Sequence, residues 1–301
     1  MSTIISCQSA IYAFDKDTVP VKSVPIGEPI TIETYDCFTN QIQSPSDLRA
    51  INWEQINPAT GPIFIEGAAP GDILKVVINK LDIGDQGTMV TGEGIGVLGD
   101  QFTDFDVKIL PIKDDHAIFD EQMAIPLNKM IGVIGVAPEG DPIGCGTPGA
   151  HGGNLDTVLV KEGATLYFPV FNEGALFATG DFHAAMGDGE VSGSGIEVPG
   201  EVTVTFNVIK EQQIAYPFLE NEDHISVITT AETLDEATKI AVQEMIDIIH
   251  PHTDLTLSHL TMLMSAVGQT EISQVVNPLV TARFSVPKSV FESYGITLFS
   301  D

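Results

Sequence analysis

Basic residues are scarce in this sequence: 13 Lys and Arg stand against 42 Asp and Glu in 301 residues, a formal net charge of −29. A phosphate backbone is held chiefly by Lys and Arg, so the balance argues against nucleic acid and against an anionic membrane surface as partners. Cations are the expected partners, although so acidic a total also fits simple solubility or a salty cytoplasm. Cysteine is nearly as rare. Cys7, Cys37 and Cys145 show no C-x-x-C spacing, so neither a disulfide framework nor a thiolate zinc site is suggested, and reduced thiols are expected. No run reaches the ~20 apolar residues of a membrane span. The opening MSTIISCQSAIYAFDKD lacks the basic start and apolar stretch of a secretory signal, so a soluble, cytoplasmic protein is expected. Signatures of familiar catalysts are missing too: there is no G-x-S-x-G elbow, P-loop, H-E-x-x-H helix or Ser/Gly-rich stretch of a Ser-Ser-Lys amidase. Nucleophilic triads are disfavoured, and metal-assisted hydrolysis remains.

What the sequence does have is a full core and β punctuation. Hydrophobic residues make up 43 % and charged residues 18 %, with 28 Gly and 18 Pro falling between short Val-, Ile-, Thr- and Phe-rich runs. Segments 28–36, 62–66, 73–81 and 201–209 alternate apolar and polar with period two, the pattern of half-buried strands. Further strands are expected at 107–112, 117–119, 156–160, 165–170 and 224–230. Helical spacing is confined to one region. Ala237, Ile240, Ala241 and Met245 with Ile248 or Ile249 form an apolar stripe after an N-cap at Thr233 and before a stop at Pro251, and Asp235 and Glu236 suit the first turn. A second helix is expected from about Thr256 to Ala266, with Asp254 as its cap. The fold expected is mainly β, a two-sheet sandwich-like architecture of short strands with a C-terminal helical segment. It forms a single unit over 1–301, with about 223–301 a candidate helical subdomain.

Three stretches carry functional groups. In TGDFHAAMGDGEVSGSGIE (179–197), a strand over 176–184 puts Asp181 and His183 on one face, Cα atoms ~6–7 Å apart, with Asp188 and Glu190 two apart after Gly187. Carboxylate plus imidazole is a ligand set for zinc, manganese or iron, whereas carboxylates alone suit calcium or magnesium. The alternative is a DG hairpin turn with acids facing solvent. In GCGTPGAHGGNLDT (144–157), glycines around His151 allow close backbone approach, and Asn154 and Asp156 add polar groups. His151 is open as ligand, oxyanion donor or base, and equally as a structural histidine. In ETYDCFTN (33–40), Asp36 at a strand end either caps a turn or completes a distant metal site, and Cys37 has no Glu and Lys companions to make it a nucleophile.

The runs NPATGPIFIEGAAPGD (57–72), GTPGAHGGNLDT (146–157), GDFHAAMGDGEVSGSGIEV (180–198) and SAVGQTEISQVVNP (265–278) closely resemble the acetamidase/formamidase family, from about residue 10 onward. The resemblance implies a hydrolase that cuts short linear amides such as formamide and acetamide to carboxylate and ammonia, on a mostly β fold with metal ions in some members. It places His151 and Asn154 in the HGGN element, Asp181, His183, Asp188 and Glu190 in the GDFHAAMGDGE element, and Asp36 at the acid preceding a Cys or small residue. Met186 stands where a polar residue is expected, which bears on the polarity of the pocket wall.

The mechanism that fits holds a divalent metal ion, zinc first and calcium or magnesium as alternatives, on Asp36, Asp181 and His183. Glu190, or Asp188 in its place, takes the water proton. Amides of Gly152 and Gly153, or His151, meet the oxyanion, and Asn154 binds substrate. The competing readings are a calcium-stabilised β-sandwich binding protein without catalysis and a metallohydrolase acting on another small substrate. His183 separates the first of these, because a structural calcium site has little use for imidazole. Mean hydropathy of +0.17 despite the charge adds the expectation of a homo-oligomer, a dimer or small even multimer.

Overall fold

The computed structural model describes residues 3–299. Two large sheets dominate it. The first runs, edge to edge, through Thr3–Ile5, Pro29–Thr34, Gly200–Ile209, Ile73–Ile83, Thr165–Pro169, Phe218–Glu220, His224–Ala231, Val280–Pro287 and Gln269–Gln274. Period-two sequence becomes period-two burial: in Pro29–Thr34 Ile30, Ile32 and Thr34 are buried while the residues between them are not. The second sheet passes from Ala124–Pro126 through His116–Ile118, Asp106–Lys113, Gln86–Thr91, Glu197–Val198, Phe177–His183 and Met130–Gly135 to Gly152–Asn154, and Ala59–Ile65 also pairs with Phe177–His183. Every residue of Phe177–His183 and Met130–Gly135 is buried. Strands covered on both faces need continuous apolar or satisfied residues, so the ionisable groups in the first of them are out of keeping with a purely structural role.

The main core lies between the sheets. Ile32, Val76, Val204 and Phe206 from the first meet Ile63, Ile131, Phe177 and Phe182 from the second. The rings of Phe177 and Phe206 touch edge to face across the gap, centroids 4.9 Å apart. Burying each such side chain stabilises the fold by ~1.5–3 kcal/mol. A second core forms where Met245, Ile249, Leu260 and Met264 pack with Val227, Phe284 and Val286. It is built by the helix Leu234–Ile249, capped by Thr233 as expected, and the helix Leu257–Val267.

The helical region is thus bracketed by strands that extend the first sheet. Alternation along Val280–Pro287 turns Phe284 and Val286 towards the helices and leaves Arg283 and Ser285 for the other face. Two expectations need correction. The second helix is capped by Thr256, whose hydroxyl accepts from the His259 amide, and not by Asp254. The stretch 156–160 is no strand: Asp156 takes φ +43°, and the Val160 amide bonds the Thr157 carbonyl in a turn. The three cysteines are free. Among the described residues no helix is long and apolar enough to cross a membrane.

Candidate active site

The strand Phe177–His183 delivers Asp181 and His183 into the interior, and the register sets Glu197 of the short strand Glu197–Val198 opposite His183. His183 Nε2 lies 3.1 Å from Glu197 Oε2 and 3.5 Å from Asp181 Oδ1. Neither contact is aligned as a hydrogen bond. Both His183 nitrogens, Glu197 Oε2, Asp181 Oδ1 and Asp156 Oδ1 are buried without a hydrogen-bond partner. Potential ligand atoms gather in two sets, Asp156 with His183 and Glu190, and Cys37 with Asp181 and Glu197, all within 4.8 Å of one another in each set.

The backbone is arranged around this cluster at a cost. Asp156, Asp181 and Glu190 all sit in the left-handed region, at φ +43°, +58° and +48°. Such positions cost ~1–3 kcal/mol and collect at functional sites, and Asp tolerates them better than Glu. Gly132, on the neighbouring strand, is required here: a Cβ would run into the carboxylates of Asp181 and Asp156. Gly195 does the same for His183, since a Cβ there would lie 2.6 Å from the ring.

Burial governs the electrostatics. It raises Glu197 to about 8 and Asp156 to about 6, with the charge of Asp181 adding to both. Glu190 is pushed well above the usual carboxylate range by burial and by Asp156. Burial also works against ionisation of Asp181, but the His183 charge beside it, with the polar groups of Glu197 and Cys37 close by, holds it below its ordinary value. For His183 the desolvation is outweighed by Glu197 and Asp181, which lift it well above normal. Cys37 is raised far up by burial and the surrounding acids, so it is a neutral thiol and no nucleophile.

The remaining expected residues fall into place differently. Asp36 is buried beside the cluster, but its Oδ1 accepts the Asn40 amide at 2.6 Å and its carboxylate joins neither ligand set. Burial raises it to about 6. Asp188 is not a free base. Arg283 grips both of its oxygens, at 2.8 and 2.7 Å, outside the buried cluster. The Gly152 amide, expected as an oxyanion donor, is already engaged and donates to the Gly149 carbonyl at 3.1 Å. Gly153 lies in the strand against Ile134, and a Cβ there would strike Thr147 and the His151 ring. These glycines admit a close-packed strand and the His151 ring.

His151 is buried with neither nitrogen bonded, lies edge-on to Phe14 and is lowered to about 4 by desolvation, so it is neutral. Asn154 has a buried, unpartnered Oδ1, while its carbonyl accepts from Asn277 at 3.3 Å. Asn277 also donates to Asp156 Oδ2 at 2.6 Å. Glu197 and Asn277 carry no site signal in the sequence beyond a lone Glu between Ile196 and Val198, and Asp156 stands there only as a polar group of the 144–157 stretch.

A cavity of ≈ 400 Å³ opens beside Glu190 and Gly195 and is walled by Met186, Ile196 and Met89. A larger one, ≈ 670 Å³, lies near Phe299, but its Tyr167, Glu220 and Lys288 are bonded to one another, Tyr167 to Glu220 at 2.7 Å and Lys288 to Glu220 at 2.6 Å. The first therefore adjoins the chemistry, and the second does not.

Residues 8–142 and 145–293 match the family model of the acetamidase/formamidase family. The chain belongs to that family. This acetamidase/formamidase member superposes with a TM-score of 0.97 on a predicted acetamidase/formamidase from Thermoanaerobacter tengcongensis, at 49 % identity and covering 99 % of each chain. It is similar also to an acetamidase from Bacillus halodurans, TM-score 0.95 at 43 % identity, over 97 % of this chain and 100 % of that one. A formamidase from Methylophilus methylotrophus is 26 % identical over 260 residues, 65 % of this chain. The match spans 63 % of that relative's own length.

Proposed function

We propose that the protein hydrolyses the C–N bond of linear amides to a carboxylate and ammonia, with a divalent cation, zinc, held by Asp181, His183 and Glu197, and by Asp156 at the same cluster. The observation that carries this reading is the concentration of buried polar atoms without partners on those four residues. Each such atom costs ~1–3 kcal/mol, and more when its group is charged, so their convergence fits a bound cation. An imidazole among the carboxylates with the Cys37 thiol alongside suits zinc better than calcium or magnesium. The same imidazole weighs against a calcium-stabilised binding protein. Asp36, expected as a ligand, gives way to Glu197, whose carboxylate stands 3.1 Å from His183.

When bound, the ion supplies Lewis acidity and a water that ionises near neutral pH. The chain's own residues supply the rest. Asn154 Oδ1, an acceptor with no partner, receives an amide N–H and orients the substrate. Glu190 stands between the cluster and the cavity and exchanges the proton, taking it from water and returning it to the leaving nitrogen. Burial and the charge of Asp156 raise its pKa, which favours the protonated form it takes on accepting the water proton. Neutral His151 orders the HGGN strand behind Asn154.

The test is ammonia release from formamide and acetamide, measured on purified protein, after chelation and after zinc is restored, alongside metal analysis. Release that stops on chelation and returns with zinc is expected. Release unaffected by chelation of a protein shown to be free of metal would overturn the metal reading, and no release under any condition would overturn the amidase reading.

A further inference from the structure

The cavity beside Glu190 is far larger than the two-carbon amides need. At ≈ 400 Å³ it falls in the range of pockets that hold drug-sized ligands, about 300–1,000 Å³. A water's share of liquid volume is ~30 Å³, so the space would take about a dozen waters. Its wall is apolar where it matters: Met89, Phe119, Ile125, Met186 and Ile196 face it.

Most polar side chains of the wall are already engaged. Ser194 Oγ donates to the Val90 carbonyl at 3.0 Å and accepts the Val90 amide at 3.1 Å. Ser192 Oγ donates to the Ser194 carbonyl at 2.9 Å. Asn128 Oδ1 accepts from Lys161 at 3.4 Å, and Asp188 is held by Arg283. Glu190 is the group left to address a ligand's reacting end. Gly195 separates the cavity from the His183 ring by the thickness of a glycine.

We infer that this pocket receives the acyl group of the substrate, and that the preferred substrates are primary amides whose acyl part is an apolar chain or ring longer than that of acetamide. The inference rests on the amide-hydrolysis reading and specifies its substrate class. Water against the apolar part of this wall gains by leaving, so each methylene that replaces it should raise kcat/KM. Met186, a flexible apolar side chain on this wall, is a specificity-determining residue under this reading.

The experiment is ammonia release by the zinc-loaded protein from formamide, acetamide, butyramide, hexanamide and benzamide. Burial of one CH₂ at ~0.8 kcal/mol corresponds to about fourfold in kcat/KM, so hexanamide should exceed acetamide by about 10²-fold. The variant M186W, which fills the cavity, should lower kcat/KM for hexanamide at least tenfold more than for formamide. Turnover of formamide and acetamide with flat or falling kcat/KM along the series would overturn the pocket assignment and leave amide hydrolysis standing. Ammonia from none of the five would overturn both. The wild-type series decides the matter without any variant.

Discussion

Asp188 and Glu190 lie two residues apart in a GDGE run, and Arg283 holds the first of them by both carboxylate oxygens. Replacing Asp188 with Ala removes two charge-assisted bonds from a guanidinium that is 2 % exposed. Bonds to charged groups contribute ~1.5–3 kcal/mol each. The Asp188 side chain is itself 41 % exposed, so solvent screens part of this, and Arg283 keeps Glu271 at 3.1 Å and Ser273 at 3.2 Å. The net loss should be ~2–3 kcal/mol. At roughly 2–4 °C per kcal/mol for a large domain, Tm should fall by about 5–10 °C.

Activity should fall only about tenfold, because the loop still bonds the last-strand region through the Gly189 amide and the Ser273 carbonyl, 2.8 Å apart. The assay is differential scanning calorimetry on D188A together with ammonia release at saturating amide. An unchanged Tm with a loss of 10³-fold or more would refute the reasoning, and would make Asp188 the proton acceptor.

Glu190→Gln should keep metal and fold but lose turnover by about 10²-fold or more, and the acidic limb of its pH profile should vanish; near-normal ammonia release would move the proton transfer elsewhere. Gly132→Ala, whose Cβ runs into two of the cluster's carboxylates, should bind less than half the metal while costing ~1–3 kcal/mol of stability, read by metal analysis and chemical denaturation. The metal-free protein should lose stability as pH rises. Glu197 and Asp156 have raised folded pKa values, about 8 and about 6 against ordinary values of 4.5 and 3.8, so the native state binds more protons across that window. Raised His183 acts in the same sense above 6.5. Tm of chelated protein should therefore drop between about pH 4 and 8, and a rise over that range would contradict the burial of these acids. Finally, Trp53, Phe105, Val97, Leu98 and Val191 are exposed, and light scattering should give a dimer or larger even multimer; a mass near 32.2 kDa at micromolar concentration would refute association.

Alternation made most strands legible, because half-buried strands repeat with the period of the pleat. It also placed Asp181 and His183 together, since both belong to one strand. Pairing order was not legible: Ile73–Ile83 meets Gly200–Ile209 across more than a hundred residues, and nothing in either segment names the other. Glu197 escaped notice for the same reason, its role being set by register against His183. Asp188 looked like a base because its partner Arg283 is 95 residues away. The glycines of the HGGN element offer close backbone approach in the sequence, and in the fold they accommodate the His151 ring and an adjoining strand. Their conformational freedom was visible in sequence, and its beneficiary was not.

The placement of Arg283 in Val280–Pro287, the last of the described strands to be made, has a consequence for biosynthesis. The GDGE loop and all four proposed metal ligands are made well before residue 283, but the clamp that fixes the loop and the Asn277 amide that bonds Asp156 come nearly last. Nascent chains stalled on the ribosome before about residue 290 should therefore carry the ligands without a locked site. They should remain protease-sensitive at the 184–195 segment and acquire protection and metal retention together, only once the final strand has emerged.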